Sequence, residues 1–244
     1  MVEKIYLNDS YAKETDAKVT SISNKNEKEI EIELDKTVFY PGGGGELPDT
    51  GIISFNGQEN KVINTKKNGD NVIHIIEALP NFKVNDEVHC KIDWKKRYAY
   101  MRHHTAIHVI SGIMESKYNA MFTGGMISDM KSHFDFDMPE LNRELAEQVI
   151  KESQLVINRN LNVVVKILSK EEALKIPNLV RTEPGRELLN KLETVRVVDI
   201  ENFDVQMDGG THVKNTKEIG IVNLSGFENK GSHRKRVEIS LNDL

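Results

Sequence analysis

The sequence holds a single cysteine, Cys90, six prolines and one tryptophan in 244 residues, and only 6% of it is aromatic. One thiol excludes an internal disulfide framework and suits a reducing cytosol. No apolar run approaches the length needed to cross a bilayer. The opening residues, Met1 to Val19, lack the apolar core of a secretory leader. A cytoplasmic protein with no membrane partner is therefore expected. Positive charge is not in excess either: 33 Lys and Arg stand against 38 Asp and Glu, a net charge of −5. Any contact with nucleic acid must come from a local basic patch rather than from the whole surface. The 38% hydrophobic and 29% charged residues that are present suit a globular chain with room for one large domain or two small ones.

Residues 1–93 read as short strands, at 19–23, 29–34, 51–55, 61–65, 71–76 and 87–93, where β-branched and apolar residues alternate with polar ones. Turn-formers separate them: Asn24-Lys25-Asn26, Asn56-Gly57, Asn68-Gly69-Asp70 and Asn85-Asp86. Asn56-Gly57 between apolar runs predicts a tight hairpin, because both central residues of that turn need positive φ. Strands spaced this closely predict a small barrel or sandwich. Between two of them lies Phe39-Tyr40-Pro41-Gly42-Gly43-Gly44-Gly45-Glu46. Four glycines in a row bury no side chains; they allow either a close backbone approach to a ligand or a simple tight reversal.

The pattern changes at residue 94. Positions 94–118 have helical periodicity, with Ala106, Val109, Ile110, Ile113 and Met114 on one side. Strands are expected at 120–127 and 132–137, a second helix from Pro139 to about Arg159, a strand at 163–168 and a short helix at 170–175. Further strands are expected at 194–200, 220–224 and 236–241. Helices and strands are interspersed rather than alternating, which predicts an α+β second domain at 94–244.

His104 and His108 stand four apart in Arg102-His103-His104-Thr105-Ala106-Ile107-His108, so they leave one helix face on neighbouring turns and have the spacing to share a metal. Helical rotation puts them opposite the apolar stripe, in a row with Arg97, Ser111 and Glu115, where the alternative is a pair of solvated histidines. Downstream, Asp208-Gly209-Gly210-Thr211-His212-Val213 brackets two glycines with a carboxylate and an imidazole. Glycines that turn the chain sharply would let Asp208 and His212 converge on one cation; alternatively Asp208-Gly209 is a plain hairpin turn.

Together these segments resemble the editing domain of alanyl-tRNA synthetase, and more closely its freestanding relatives, the AlaX family. The His-x-x-x-His helix and the Gly-Gly-Thr-His-Val loop carry the resemblance. So do Tyr40-Pro41-Gly42-Gly43-Gly44-Gly45, the series Val213, Thr216, Ile219, Gly220, and the basic Arg234-Lys235-Arg236-Val237-Glu238. The resemblance implies an N-terminal β-barrel followed by a two-layer α/β editing domain of the threonyl/alanyl-tRNA synthetase second-additional-domain type. It also implies one Zn²⁺ per chain on His104, His108, Asp208 and His212. Its implied reaction is hydrolysis of the ester of tRNA(Ala) mischarged with serine or glycine, in trans, since 244 residues leave no room for an ATP-binding catalytic core.

Gly43, Gly44, Glu46 and Thr211 would contact the reacting ester, the glycine N–H groups facing its oxyanion. Lys95, Lys96, Arg97, Lys230, Arg234, Lys235 and Arg236 are the expected phosphate contacts, and Tyr40 an expected stacking platform for the acceptor end. Three positions depart from the family pattern. Asp208 stands where Cys is common, with His103 or a three-histidine site as alternatives. Gly42 stands where Thr is frequent, and Glu46 where Gln is. The competing functions are editing of Ser-tRNA(Thr) and a non-catalytic zinc-containing RNA-binding module.

Overall fold

A computed structural model describes residues 2–24, 29–77 and 79–243. The chain divides into two compact units, Met1–Tyr98 and Ala99–Leu244.

In the first unit a two-residue strand β1 (Glu3–Lys4) pairs in parallel with β4 (Lys36–Thr37). The remaining strands are β2 (Glu14–Asn24), β3 (Ile30–Leu34), β5 (Gly51–Phe55), β6 (Gln58–Asn68), β7 (Asn71–Ile76) and β8 (Glu87–Ile92). They close into a barrel in the order β2-β3-β7-β6-β5-β8. Alternation drives closure: in β3, Ile30, Ile32 and Leu34 point inward, while Glu31 and Glu33 face out, where Glu31 pairs with Lys66 at 2.7 Å. Val19, Ile32, Ile53, Val62, Ile76 and Cys90 fill the interior at 0% exposure. Cys90 is thus a core residue, its thiol pushed up to about 12 by burial. Asn56 (φ 49°) and Gly57 (φ 78°) make the hairpin their sequence predicts. Of the turn at Asn24-Lys25-Asn26, Lys25 and Asn26 lie outside the described residues.

One charge pair organises this unit. Arg97 is fully buried, and its guanidinium grips Asp49 through Nε, 3.1 Å from each carboxylate oxygen, and again through Nη2. Nη1 donates to Ser10 O at 3.0 Å and Nη2 to Val38 O at 2.7 Å. Asp49 in turn accepts from Tyr40 N–H at 2.6 Å, and its own N–H returns to Tyr40 O at 2.9 Å. This closes the base of the glycine segment. Burial pushes the Asp49 carboxyl up, and Arg97 and the Tyr40 amide pull it back toward the ionised form. Arg97 is therefore not the phosphate contact its place in a basic run suggests; every face of its head group is used inside the protein. A second buried polar group, His74, bridges Thr37 Oγ1 (2.8 Å) and Ile32 O (3.1 Å).

The helix α1 (Trp94–Tyr118) begins in the first unit and continues through the second. The second unit also contains β9 (Met121–Ile127), β10 (Lys131–Asp137), α2 (Arg143–Ile157), β11 (Val163–Ser169), α3 (Lys170–Leu174), α4 (Glu183–Lys191), β12 (Thr194–Ile200), β13 (Asp204–Met207), β14 (Ile221–Asn229) and β15 (Arg234–Asn242). The strands form an antiparallel sheet in the order β14-β15-β10-β9 and a smaller one in the order β11-β12-β13, giving the expected α+β unit.

α2 starts at Arg143 rather than Pro139, because the Asn142 side chain caps Leu145 N at 2.9 Å and fixes the first turn there. The helix at α4 and strand β13 are additions to the sequence reading; Thr182 caps α4 through Gly185 N, with proline in its first turn. Among the described residues no helix is long and apolar enough to cross a membrane.

Two outcomes are expected. Replacing Arg97 with Leu leaves the Asp49 carboxylate buried alone and should lower the unfolding free energy by about 3–5 kcal/mol in a urea titration. His74 is held down to about 4 by burial, against an ordinary value of 6.5. Between those values the unfolded chain binds the extra proton, so stability rises with pH across that window and is lost as pH falls through it. The His74→Leu variant should remove up to about 1.4 kcal/mol per pH unit of that slope.

Candidate metal centre

α1 is buried on every side from His103 to Met114, so the polar row that helical rotation sets opposite the apolar stripe faces other parts of the protein, not water. His104 and His108 are 4% and 5% exposed. Their neighbours in that row, Arg97 and Ser111, are buried too. The stripe is a true feature of the sequence, but the opposite face is covered as well because it carries a site.

Asp208 and His212 follow the end of β13. The turn between them does not draw on a left-handed glycine, since a Cβ on Gly209 would meet nothing and its φ is ordinary. Asp208 makes the turn itself, its Oδ1 accepting Gly210 N–H at 2.5 Å. Arg196 of β12 fixes the start of the loop: its Nη1 donates to Asp208 O at 2.7 Å, and Asp208 N–H returns to Arg196 O at 3.3 Å. Gln206 ties β13 to α1 by donating to His108 O at 3.3 Å. Neither Arg196 nor Gln206 carries a signal in the sequence, because each acts through backbone atoms that only the fold brings near.

The result is a convergence of four side chains. Asp208 Oδ2 lies 3.4 Å from His104 Nε2 and 3.8 Å from His108 Nε2, and Oδ1 lies 3.2 Å from His212 Nε2. All four ligand atoms fall within 4.8 Å of one another. Zinc bonds of about 2.0–2.1 Å in a tetrahedron separate neighbouring donor atoms by roughly 3.3 Å, so these spacings fit a cation of that size. His103, also buried, is not in the group.

Burial holds the His108 imidazole below its ordinary value, and burial together with His104 and His108 holds His212 well below its own. Burial works against the charge on Asp208, yet His104 and its other imidazole partners keep that carboxyl well below the usual range. At neutral pH His108 and His212 therefore offer lone pairs and Asp208 a negative charge, which ligation of a divalent cation requires.

The glycine segment is a hairpin of its own within the first unit. Gly43 N–H donates to Glu46 O at 3.1 Å and Glu46 N–H to Gly43 O at 3.0 Å, with Gly44 (φ 60°) and Gly45 (φ 91°) at the turn. The Gly43 amide is thus spent on the turn and is no oxyanion donor. Glu46 and Thr211 are both buried, at 3% and 0% exposure. Tyr40 is also buried and donates its hydroxyl to Gly43 O at 2.9 Å, which removes it as a stacking platform.

Of the basic residues, Lys95 is exposed and Lys96 half-buried. Lys235 turns inward to Asn229 Oδ1 (2.8 Å) and Gly231 O (2.6 Å), because on β15 it alternates to the covered face. It is not a phosphate contact. Arg234 and Arg236 both bind the buried Asp135, each through Nε at 2.7 Å, and Lys230 pairs with Glu228.

Two family profiles match the chain: one described as tRNA synthetases class II (A), over residues 7–96, and one as the threonyl and alanyl tRNA synthetase second additional domain, over residues 195–238. The alanyl-tRNA editing protein AlaX-M of Saccharolobus solfataricus is 39% identical over 239 residues, which is 97% of this chain and 98% of that protein. The chain belongs to the AlaX family of alanyl-tRNA editing proteins. The AlaX-L protein of Pyrococcus horikoshii is 33% identical over 98% of this chain and 58% of its own length. The alanine–tRNA ligase of Metallosphaera sedula is 32% identical over 93% of this chain and 24% of its own length. In this AlaX chain the cation-sized cluster has a carboxylate where the second segment contributes its first ligand atom.

His104→Ala and Asp208→Ala proteins, purified side by side with the parent and measured by inductively coupled plasma mass spectrometry, should retain about a tenth or less of its metal per chain. Far-ultraviolet circular dichroism should be unchanged.

Proposed function

We propose that the chain is a trans-acting deacylase, a hydrolase that cleaves the ester joining serine, and secondarily glycine, to tRNA(Ala). The supporting observation is the buried His104–His108–Asp208–His212 cluster in a chain matched from end to end by alanyl-tRNA editing proteins. The nitrogen and oxygen donor set suits one Zn²⁺ per chain, which when bound supplies a Lewis acid that polarises an ester carbonyl or acidifies a water.

The residues themselves do the rest. Ionised Asp208 balances half of a divalent charge without a thiolate. The His108 and His212 imidazoles, shifted toward the neutral form by burial, keep their lone pairs available. An aminoacyl ester is already activated, so positioning supplies most of the needed rate. A hydroxyl-binding site rejects alanine because its buried polar groups would be left unpaired, which favours serine over alanine as substrate. Gly44, Glu46 and Thr211 are assigned to substrate contact in this reading. Lys95, Lys96, Arg234 and Arg236 are assigned to phosphate, with Lys230 held in its ion pair. Phosphate-led binding weakens as salt is added.

The test incubates the purified chain with Ser-tRNA(Ala), Gly-tRNA(Ala), Ala-tRNA(Ala) and Ser-tRNA(Thr), with and without a chelator. Chelator-sensitive release of serine from tRNA(Ala), with Ala-tRNA(Ala) spared by at least about a hundredfold, is the expected outcome. Preferential release from Ser-tRNA(Thr) would move the protein to the threonine branch. Metal binding and tRNA binding with no release from any of the four would make it a non-catalytic module.

A further inference from the structure

Thr105 lies between the two helical histidines, fully buried, and its hydroxyl touches three groups. It donates to Met101 O one helical turn back at 2.8 Å. It accepts from Val213 N–H at 3.2 Å, across 108 residues of chain. At 3.3 Å it meets Nδ1 of His212. A threonine hydroxyl has one hydrogen and two lone pairs. The short contact to Met101 O is the back-bond a helical threonine readily makes, and it uses that hydrogen. Both remaining contacts then fall on lone pairs, so the hydrogen at the His212 contact must sit on Nδ1.

The consequence reaches the cluster. An imidazole with its hydrogen on Nδ1 presents a lone pair at Nε2, and His212 Nε2 lies 3.2 Å from Asp208 Oδ1. Two lone pairs face each other across that gap, and a cation between them removes the conflict. We propose that Thr105 is a positioning residue that fixes the Nδ1–H tautomer of His212 and docks the Asp208–Val213 loop on α1, so that the cluster is complete only with a cation bound. The inference rests on reading the cluster as a cation site and is independent of which aminoacyl-tRNA is cleaved.

The test measures Zn²⁺ affinity of the full chain by competition with a chromophoric chelator. The variants are Thr105→Val, which keeps the shape and loses the hydroxyl, and Thr105→Ser, which keeps the hydroxyl. Losing the second partner of a ligating histidine weakens metal binding roughly 10–100-fold. That loss is expected for Thr105→Val, with Thr105→Ser within about threefold of the parent. Equal affinity in parent and Thr105→Val overturns the role of Thr105 alone, and a parent that binds no Zn²⁺ overturns the cation site with it. Long-range ¹H–¹⁵N spectra of the zinc-loaded parent give a second reading that needs no folded variant. His212 should show hydrogen on Nδ1 and metal on Nε2, and the reverse pattern overturns the proposal.

Discussion

Three imidazole nitrogens turned toward one buried carboxylate must share protons or a cation among them, and the second unit is built to hold them together. Asp208 is 17% exposed at its side chain and the three histidines no more than 6%, so water does little to solvate them. The helix that carries His104 and His108 is buried on every side from His103 to Met114. The loop that carries Asp208 and His212 is pinned by Arg196 at its start and by Thr105 at its end. None of these contacts strengthens the fold in the manner of a packed core. They hold four donors within 4.8 Å of one another, close enough to share one cation.

The first unit shows the same logic with the opposite content. There a buried positive charge, Arg97, is matched by Asp49 and by carbonyls of Ser10 and Val38. The pair closes the base of the glycine segment, whose Gly43–Glu46 bridge then fixes the turn at Gly44-Gly45. A flexible glycine run becomes a defined hairpin because its two ends are anchored by charge and its centre requires only the positive φ that glycine gives freely.

This contrast explains what was legible in the sequence. Alternation in β3 and the Asn56-Gly57 turn are local signals, and the barrel strands follow them closely. The cluster was legible as well, because His-x-x-x-His and the Gly-Gly-Thr-His-Val loop resemble a family pattern, and Asp208 is found by its place just before that loop. Burial was not. Arg97 and Lys95 are two residues apart in one basic run, yet one is at the centre of the first unit and the other in water. The charge of a side chain does not reveal whether an acid 48 residues away waits for it. Lys235 fails for a different reason: alternation along β15 turns every second residue inward, whatever its charge. Thr105, Arg196 and Gln206 escape any motif because their partners are backbone atoms or ring nitrogens brought close only by the tertiary fold.

The carboxylate at position 208 is where the chain departs furthest from the pattern it resembles, and its surroundings give the departure a physical meaning. A thiolate binds through one soft sulfur; a carboxylate has two hard oxygens, and here they are divided, Oδ2 toward the helical histidines and Oδ1 toward His212. Gly210 N–H also takes Oδ1, so Oδ1 both holds the loop and faces His212, while Oδ2 faces His104 and His108. The same division makes the cluster depend on the Asp208 turn for its shape as much as for its charge.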